Sequence, residues 1–421
     1  MFAFRPEVEL SKKQELLFLD GRIDQPINTY PVLEQNNYDD LRKYIEGAKT
    51  NLGNVDAPAK FLRPYEQYAE RSNKILDLLE MAKIYNESAR SDIDAKNRFM
   101  QRNIELYGEP DQEVFEGLVA NLKEKVLTKD LKGRADIVRQ ELLAMLPETT
   151  TEIKSFRPNA ETMEWVKNVV ELLFEDFLAI IPDQEKFTPG ELRDVFNKIL
   201  SDVVREGEDG WRAVLSDGAK APSAISEIKR VEIPNDDMEY SQARVRQLTI
   251  HELGVHVLRS IMGDNKNISS LRVGLPGYSN AEEGLAIVFE QGLGGKYEER
   301  GGHYYLIAGY EYLCEKNFRE AFEMMWRRCA LNKLKDGEDL TDEAIRKAKK
   351  TAYSQVFRIN RGTDTLPWFK DLAYYNGNMK MWRFIEENQN DPDILFSLFQ
   401  GKFDPENIDH MRAVWDAELK Q

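Results

Sequence analysis

The chain has 421 residues, 42% of them apolar and 31% charged, with a formal net charge of −16. That composition is globular rather than disordered, and the length is ample for a buried core. The acidic balance argues against nucleic-acid binding and against docking on an anionic membrane, because both need a basic face.

The first ten residues, Met1 to Leu10, show no basic stretch followed by an apolar one, so no secretory signal is read there. Residues 1–58 carry Pro6, Pro26 and Pro31 and one helical stretch, near Asp39 to Lys49. A helix opens at Arg63-Pro64 and runs to about Ser88, with Ile75, Leu78, Leu79 and Met81 on one face. Further helices fit Asp92 to Leu106, Gln112 to Leu127 and Ala135 to Leu146. The stretch Thr149-Thr150-Thr151, followed by Pro158, marks the expected boundary between a helical N-terminal region, 1–150, and a catalytic region, 151–421.

Two helices follow, Ala160 to Ile181 and Pro189 to Val204; Thr188, Pro189 and Glu191 form a helix-start signal for the second. The apolar run from Val169 to Pro182 is cut by Glu171, Glu175 and Asp176, which makes it a core helix and not a membrane span. Trp211 to Leu215 and Ile225 to Ile233 read as a strand pair, with Asp217-Gly218 and Pro222 as turn signals. From Met238 onward the pattern is helical again, apart from loops near Pro276, Gly301-Gly302, Gly337, Arg361 to Pro367 and Gly401. Two cysteines, Cys314 and Cys329, without a CxxC spacing, point to a reducing compartment, and the expected location is cytoplasmic. The expected fold is mainly α with a small β element, an α+β arrangement.

Chemistry concentrates in Gln247 to Ser260, which contains His251-Glu252-Leu-Gly-Val-His256, an HExxxH motif. In the HExxH zinc motif the two histidines are i and i+4 on one helical face, and the glutamate serves as general base. Here the spacing is i, i+5, which in a regular helix puts the imidazoles about 140° apart. A π-bulge near Gly254 is therefore expected, since glycine tolerates unusual backbone angles and such bulges collect at functional sites. Chance pairing of two among four histidines is the alternative. A catalytic zinc site needs a third protein ligand. Ala281-Glu282-Glu283-Gly284 opens the next apolar helix after a Pro276-Gly277 turn and offers two carboxylates. These could equally be acids favouring the helix N-terminus. A helix–loop–helix delivering His, His and Glu is the gluzincin arrangement. His303 is a rival third ligand, better read as a surface or core-edge histidine. With zinc in place, Glu252 would take a proton from water and return it to the leaving amine. The strand pair ahead of the motif would offer an edge for an extended peptide.

Three blocks, HELGVHVLRS, RVGLPGYSNAEEGLA and VFRINRGTDTLPWFKDLAYYNG, resemble the family of tyrosine carboxypeptidases typified by the microtubule-associated enzyme that removes the C-terminal tyrosine of α-tubulin. The resemblance spans roughly residues 155–415, and its pattern is HExxxH with a downstream EG helix. It implies zinc on His251 and His256, Glu252 as base, and a glutamate third ligand, Glu283 in preference to Glu282. In the third block Arg358, Arg361 and Lys370 are candidates for holding a free C-terminal carboxylate, and Tyr374 and Tyr375 for donating to an oxyanion. The expected partner is a protein or peptide with a free C-terminus, with no nucleic acid and no membrane. The chemistry is carried over and the tubulin substrate is not, since a −16 chain fits an acidic tail poorly. An aminopeptidase or endopeptidase, and a non-catalytic helical scaffold, are the competing readings.

Overall fold

The computed structural model describes residues 7–27, 37–56, 58–149, 156–205, 207, 209–361 and 366–417. Thr150 and Thr151 of the expected boundary, and Gly362 of the expected loop, lie outside the described residues. The described chain is mainly helical with a few short strands. By contacts it divides into two units: residues 1–47, 71–156 and 301–375 form one, and 48–70, 157–300 and 376–421 the other. Segment 301–375 thus groups with the amino-terminal helices, a partition drawn differently from a single cut near residue 150. Among the described residues no helix is long and apolar enough to cross a membrane.

The first unit holds a helix that the sequence reading lacks, Val8–Leu19. Only Phe18 of it is buried, so its apolar periodicity is too faint to read. Its end is held by aromatic edges and a cation. The Phe18 ring meets Phe318 and Phe322 edge-on at 5.1 and 4.8 Å, and Arg319 lies 3.5 Å over it while donating to the carbonyls of Phe18 and Ile23. A second core gathers Leu76, Leu78, Leu79, Met81, Phe99 and Trp368. Of the face anticipated at Ile75, Leu78, Leu79 and Met81, the last three are buried and Ile75 is partly buried against them; the helix itself starts earlier, at Ala59.

The second unit is built around the motif. Pro189–Ile199 begins with the full reciprocal capping box of Thr188 and Glu191 and ends in a π-helical turn, Leu200–Val204. The expected strand pair is a three-stranded sheet: β2 (Arg212–Ser216), β3 (Ser223–Ile225) and β4 (Arg230–Pro234), in the order β2-β4-β3. β2 runs parallel to β4, and β3 antiparallel to it. The missed break is a turn at residues 226–229, whose Ser-Glu-Ile-Lys carries neither Gly nor Pro; Lys229 takes a φ of 50° there. A further two-residue pair joins β1 (Lys186–Phe187) to β5 (Tyr240–Ser241). Asn197 clips its helix to β2, accepting from the Ala213 amide at 2.8 Å and donating to its carbonyl at 3.0 Å.

Near the carboxy-terminal end, residues 401–403 lie against 271–275. The Lys402 amide donates to Leu271 O at 2.8 Å, and the Leu275 amide to Lys402 O at 2.9 Å. Gly401 has a φ of 133°, and a Cβ there would come within 2.9 Å of the Leu271 side chain, so only glycine fits this approach. His410 closes the strap: its Nδ1 accepts from the Asp404 amide at 3.0 Å and its Nε2 donates to Pro276 O at 3.2 Å.

Candidate active site

The motif helix is continuous from Gln242 to Asp264, but its middle, Thr249–Val257, is π-helical for nine residues. In a π-turn, i and i+5 are the hydrogen-bonded neighbours, so the HExxxH spacing brings both imidazoles to one side. Their ring centroids are 4.9 Å apart, with planes at 82°. The wide turn extends well beyond the single bulge expected. Gly254 plays a different part from the one anticipated, because it takes no left-handed φ. A Cβ at Gly254 would instead sit 2.9 Å from the Phe174 ring, so glycine is there to admit that ring.

The helix Ser279–Gly294 crosses this segment and carries the EG pair. Gly284 follows Glu283 for a steric reason: a Cβ there would stand 2.1 Å from the Gly377 carbonyl oxygen. Ligand atoms of His251, His256 and Glu283 all lie within 4.8 Å of one another, with His251 Nε2 3.9 Å from Glu283 Oε2.

Each histidine has its own carboxylate behind it. His251 Nδ1 donates to Glu290 Oε2 at 3.2 Å, and His256 Nδ1 to Glu282 Oε1 at 2.9 Å. A carboxylate only accepts, so each Nδ1 carries a proton, and in the neutral ring Nε2 is the nitrogen with the lone pair. Glu282, the alternative third ligand, is therefore turned away from the His251–His256–Glu283 group. Its other oxygen is bound by Arg259 Nη1, and Lys402 Nζ lies 3.2 Å from Oε1. Burial alone would raise the Glu282 pKa, but Lys402, Arg259 and His256 hold it well below the usual carboxylate range. Glu290 is held in the same manner by Arg244 at 2.9 Å and Arg300 at 3.2 Å, with both arginines about two-fifths exposed. Burial would likewise lower the pKa of His251, yet Glu290, Glu252 and Glu283 around it raise it to about 9.

Glu252 is buried, and its Oε2 accepts the Ala224 amide of β3 at 2.9 Å. That amide is directed away from β4 and at the motif helix, so one edge of β3 lies along Glu252. Burial pushes the Glu252 carboxyl above its ordinary value.

The remaining expected site residues belong to the first unit. Arg358 Nε and Nη2 donate to Asp371 at 3.0 and 3.2 Å, and Arg361 Nη2 donates to the same carboxylate. The two guanidinium forks are thus already partly engaged by a buried acid. Arg358 also lies between the rings of Tyr304 and Tyr374, 5.0 and 5.3 Å from their centroids, and donates to Tyr374 Oη at 3.0 Å. Lys370 stands in the 3-10 turn Phe369–Asp371. Tyr375 is core, 5% exposed and packed on Tyr305 at 5.2 Å. The His303 ring lies beside that of Tyr304, centroids 3.9 Å apart and planes tilted by 45°, in this unit and outside the His–His–Glu group.

Residues 179–421 match the family model described as microtubule-associated tyrosine carboxypeptidase. The chain belongs to that family. A comparison with curated proteins gives no match. The tyrosine carboxypeptidase match takes in the sheet, HExxxH, the EG helix, the Arg358 cluster and the Lys402 strap. Family membership brings activity of the carboxypeptidase type as the coarse function. Sequence reasoning missed Glu290, Arg259 and Lys402. Glu290 carried a signal, an acid two turns after Glu283 in an otherwise apolar helix. Arg259 and Lys402 carried none, since nothing local says which distant acid a cation meets.

Proposed function

We propose that this chain is a zinc-dependent carboxypeptidase acting on a protein or peptide with a free C-terminus, the ion being held by His251, His256 and Glu283. The supporting observation is the convergence of these three side chains within 4.8 Å, with both imidazole Nδ1 atoms tied to carboxylates. Two imidazoles and one carboxylate are the donor set of a catalytic zinc site; zinc would take the place of the His251 Nε2 proton, and carboxylates behind ligating histidines fix the tautomer such a site needs. The residues fit the group. Zinc bound there would supply Lewis acidity, making water more acidic and polarising a carbonyl.

The chain's own residues supply the rest. Glu252 is the base that takes the proton from the attacking water and passes it to the departing amine. The Ala224 amide fixes one carboxylate oxygen. The edge of β3 gives an extended substrate a backbone to lie beside. The family's description names a tyrosine as the residue removed, and a peptide ending in tyrosine is the first substrate to try.

The test is Glu252→Gln, with metal analysis and mass spectrometry of the peptide ends cleaved. We expect unchanged zinc content and a fall in kcat/KM on the order of 100-fold to 10,000-fold. Wild-type turnover would remove Glu252 from the chemistry, and loss of zinc would make it a ligand. An endopeptidase is the second reading, favoured by the engagement of Arg358 and Arg361 with Asp371. Equal cleavage of a free-acid peptide and its C-terminal amide would select it.

A further inference from the structure

The cluster of Arg358, Arg361 and Asp371 in the first unit hangs on two buried amides. Asn103, fully buried, holds the acid's side: it accepts from the Phe369 amide at 3.0 Å and donates to Pro367 O at 2.9 Å. On the cations' side stands Asn360, between Arg358 and Arg361 and 2% exposed. It ends the helix Asp342–Ile359, where its backbone amide and its Nδ2 both donate to Val356 O, at 3.0 and 3.2 Å. The same Nδ2 lies 2.8 and 2.9 Å from the two oxygens of Glu311, on the helix Gly302–Tyr312. Asn360 Oδ1 is buried and has no hydrogen-bond partner among the described residues. Asn103 is thus held by backbone groups, which do not titrate, and Asn360 by a carboxyl, which does.

An ionised carboxylate only accepts, so it can use Nδ2 and must leave Oδ1 unserved. A protonated carboxyl also offers an O–H. With a small turn of either group it gives that O–H to Oδ1 while its other oxygen still accepts from Nδ2, and the orphaned atom is satisfied. The chief elements packed on Gly302–Tyr312 are the helices Gln112–Leu127, Phe318–Lys333 and Asp342–Ile359 and the turn Phe369–Asp371. Their charged groups are engaged elsewhere: Lys123 with Pro147 O, Arg327 with Glu323, and Arg358 with Asp371. Among the described residues only burial and the Asn360 amide bear on the Glu311 proton, and burial raises its pKa to about 8.

We propose that Glu311 and Asn360 form a proton-held latch, which fixes the end of the helix Asp342–Ile359 with Arg358 and Arg361 while Glu311 is protonated and loosens as the proton is lost. The latch stands apart from the peptidase reading, since neither residue belongs to the His–His–Glu group. A carboxyl whose folded pKa is about 8 against an ordinary 4.5 holds the latch fully closed below pH 4.5. Each pH unit between the two values favours the open form about tenfold, and the effect levels off above pH 8.

The test is amide hydrogen exchange of the full chain at pH 5.5, 6.5 and 7.5, normalised to the intrinsic rate at each pH, in the parent and in Glu311→Gln. Trp368 N donates to Ile359 O at 2.8 Å and reports on the same helix end. We expect the protection of Trp368 and of Val356 to Asn360 to fall about tenfold per pH unit in the parent and to stay level in Glu311→Gln. Amides of Val245 to Leu253 serve as the reference in the other unit. Level protection in the parent, or a fall shared equally by the reference, overturns the latch, the second because Glu311 would then act on overall stability alone. The infrared band of a protonated carboxyl, sought at pH 6.5 as the difference between parent and Glu311→Gln, is the second measurement. Its absence would show an ionised Glu311 and overturn the latch whatever the exchange result.

Discussion

Two buried acids in different units of this chain end up in opposite states. Glu282 and Glu311 both lie inside helices and are 3% and 7% exposed. Glu282 meets Arg259, Lys402 and His256, and its pKa falls well below the carboxylate range. Among the described residues Glu311 meets the Asn360 amide alone, which donates to its two oxygens at 2.8 and 2.9 Å, and burial pushes it up to about 8. Burial sets the same cost for both charges, and the partner decides whether the charge survives. Where the chain supplies cations, the acid stays ionised and can hold an imidazole. Where it supplies an amide, the acid takes up a proton at neutral pH.

The same substitution should therefore have opposite effects at the two positions. Glu282→Gln leaves Arg259 and Lys402 buried without a counter-charge. It should destabilise the protein by about 3–5 kcal/mol in denaturant unfolding. It should also weaken zinc binding by roughly 10-fold to 100-fold in chelator competition, because His256 loses its charged acceptor. A variant as stable as the parent and with its metal affinity would erase the contrast.

Glu311→Gln should stabilise. A carboxyl with a folded pKa of about 8 against an ordinary 4.5 contributes stability that is full below pH 4.5 and lost as the pH rises through 8. Relative to the parent, the glutamine variant gains up to about 1.4 kcal/mol per pH unit across that window, or about 3 kcal/mol by pH 7. Thermal unfolding at pH 5, 7 and 8.5 reads this directly, and parallel curves for the two proteins would show that Glu311 is ionised throughout. The smallest effect belongs to Lys402→Met, which leaves Arg259 on Glu282. A loss of about 2 kcal/mol and a weaker hold on the metal are expected, by the same unfolding and chelator measurements. No change in either would mean that Arg259 suffices.

The parts of this molecule written in local pattern were legible, and the parts set by distant contacts were not. Helices with a strong apolar stripe, the Thr188–Glu191 cap and the helical fold class all follow from neighbours in sequence. HExxxH announced a distorted turn because a regular helix cannot bring i and i+5 together. The Val8–Leu19 helix escaped because one aromatic, Phe18, secures it through residues three hundred positions away. The turn at 226–229 escaped because it uses a left-handed lysine where glycine would have signalled it. Gly254 was noticed for its backbone freedom, while its observed role is to leave room for Phe174. Between Glu282 and Glu283 no local pattern chooses, and the observed geometry turns Glu282 toward Arg259 and Lys402, both invisible as partners in the sequence.

Lys402 also puts the site on a clock. A ribosome adds about 5–20 residues per second. Both histidines and both glutamates are thus made on the order of ten seconds before Lys402 arrives to sit at 3.2 Å from Glu282. During that interval the nascent chain must keep Glu282 with one cation fewer. The carboxylate behind His256 is then held in place by one cation fewer, and its set of partners is complete only once the carboxy-terminal strap has joined it.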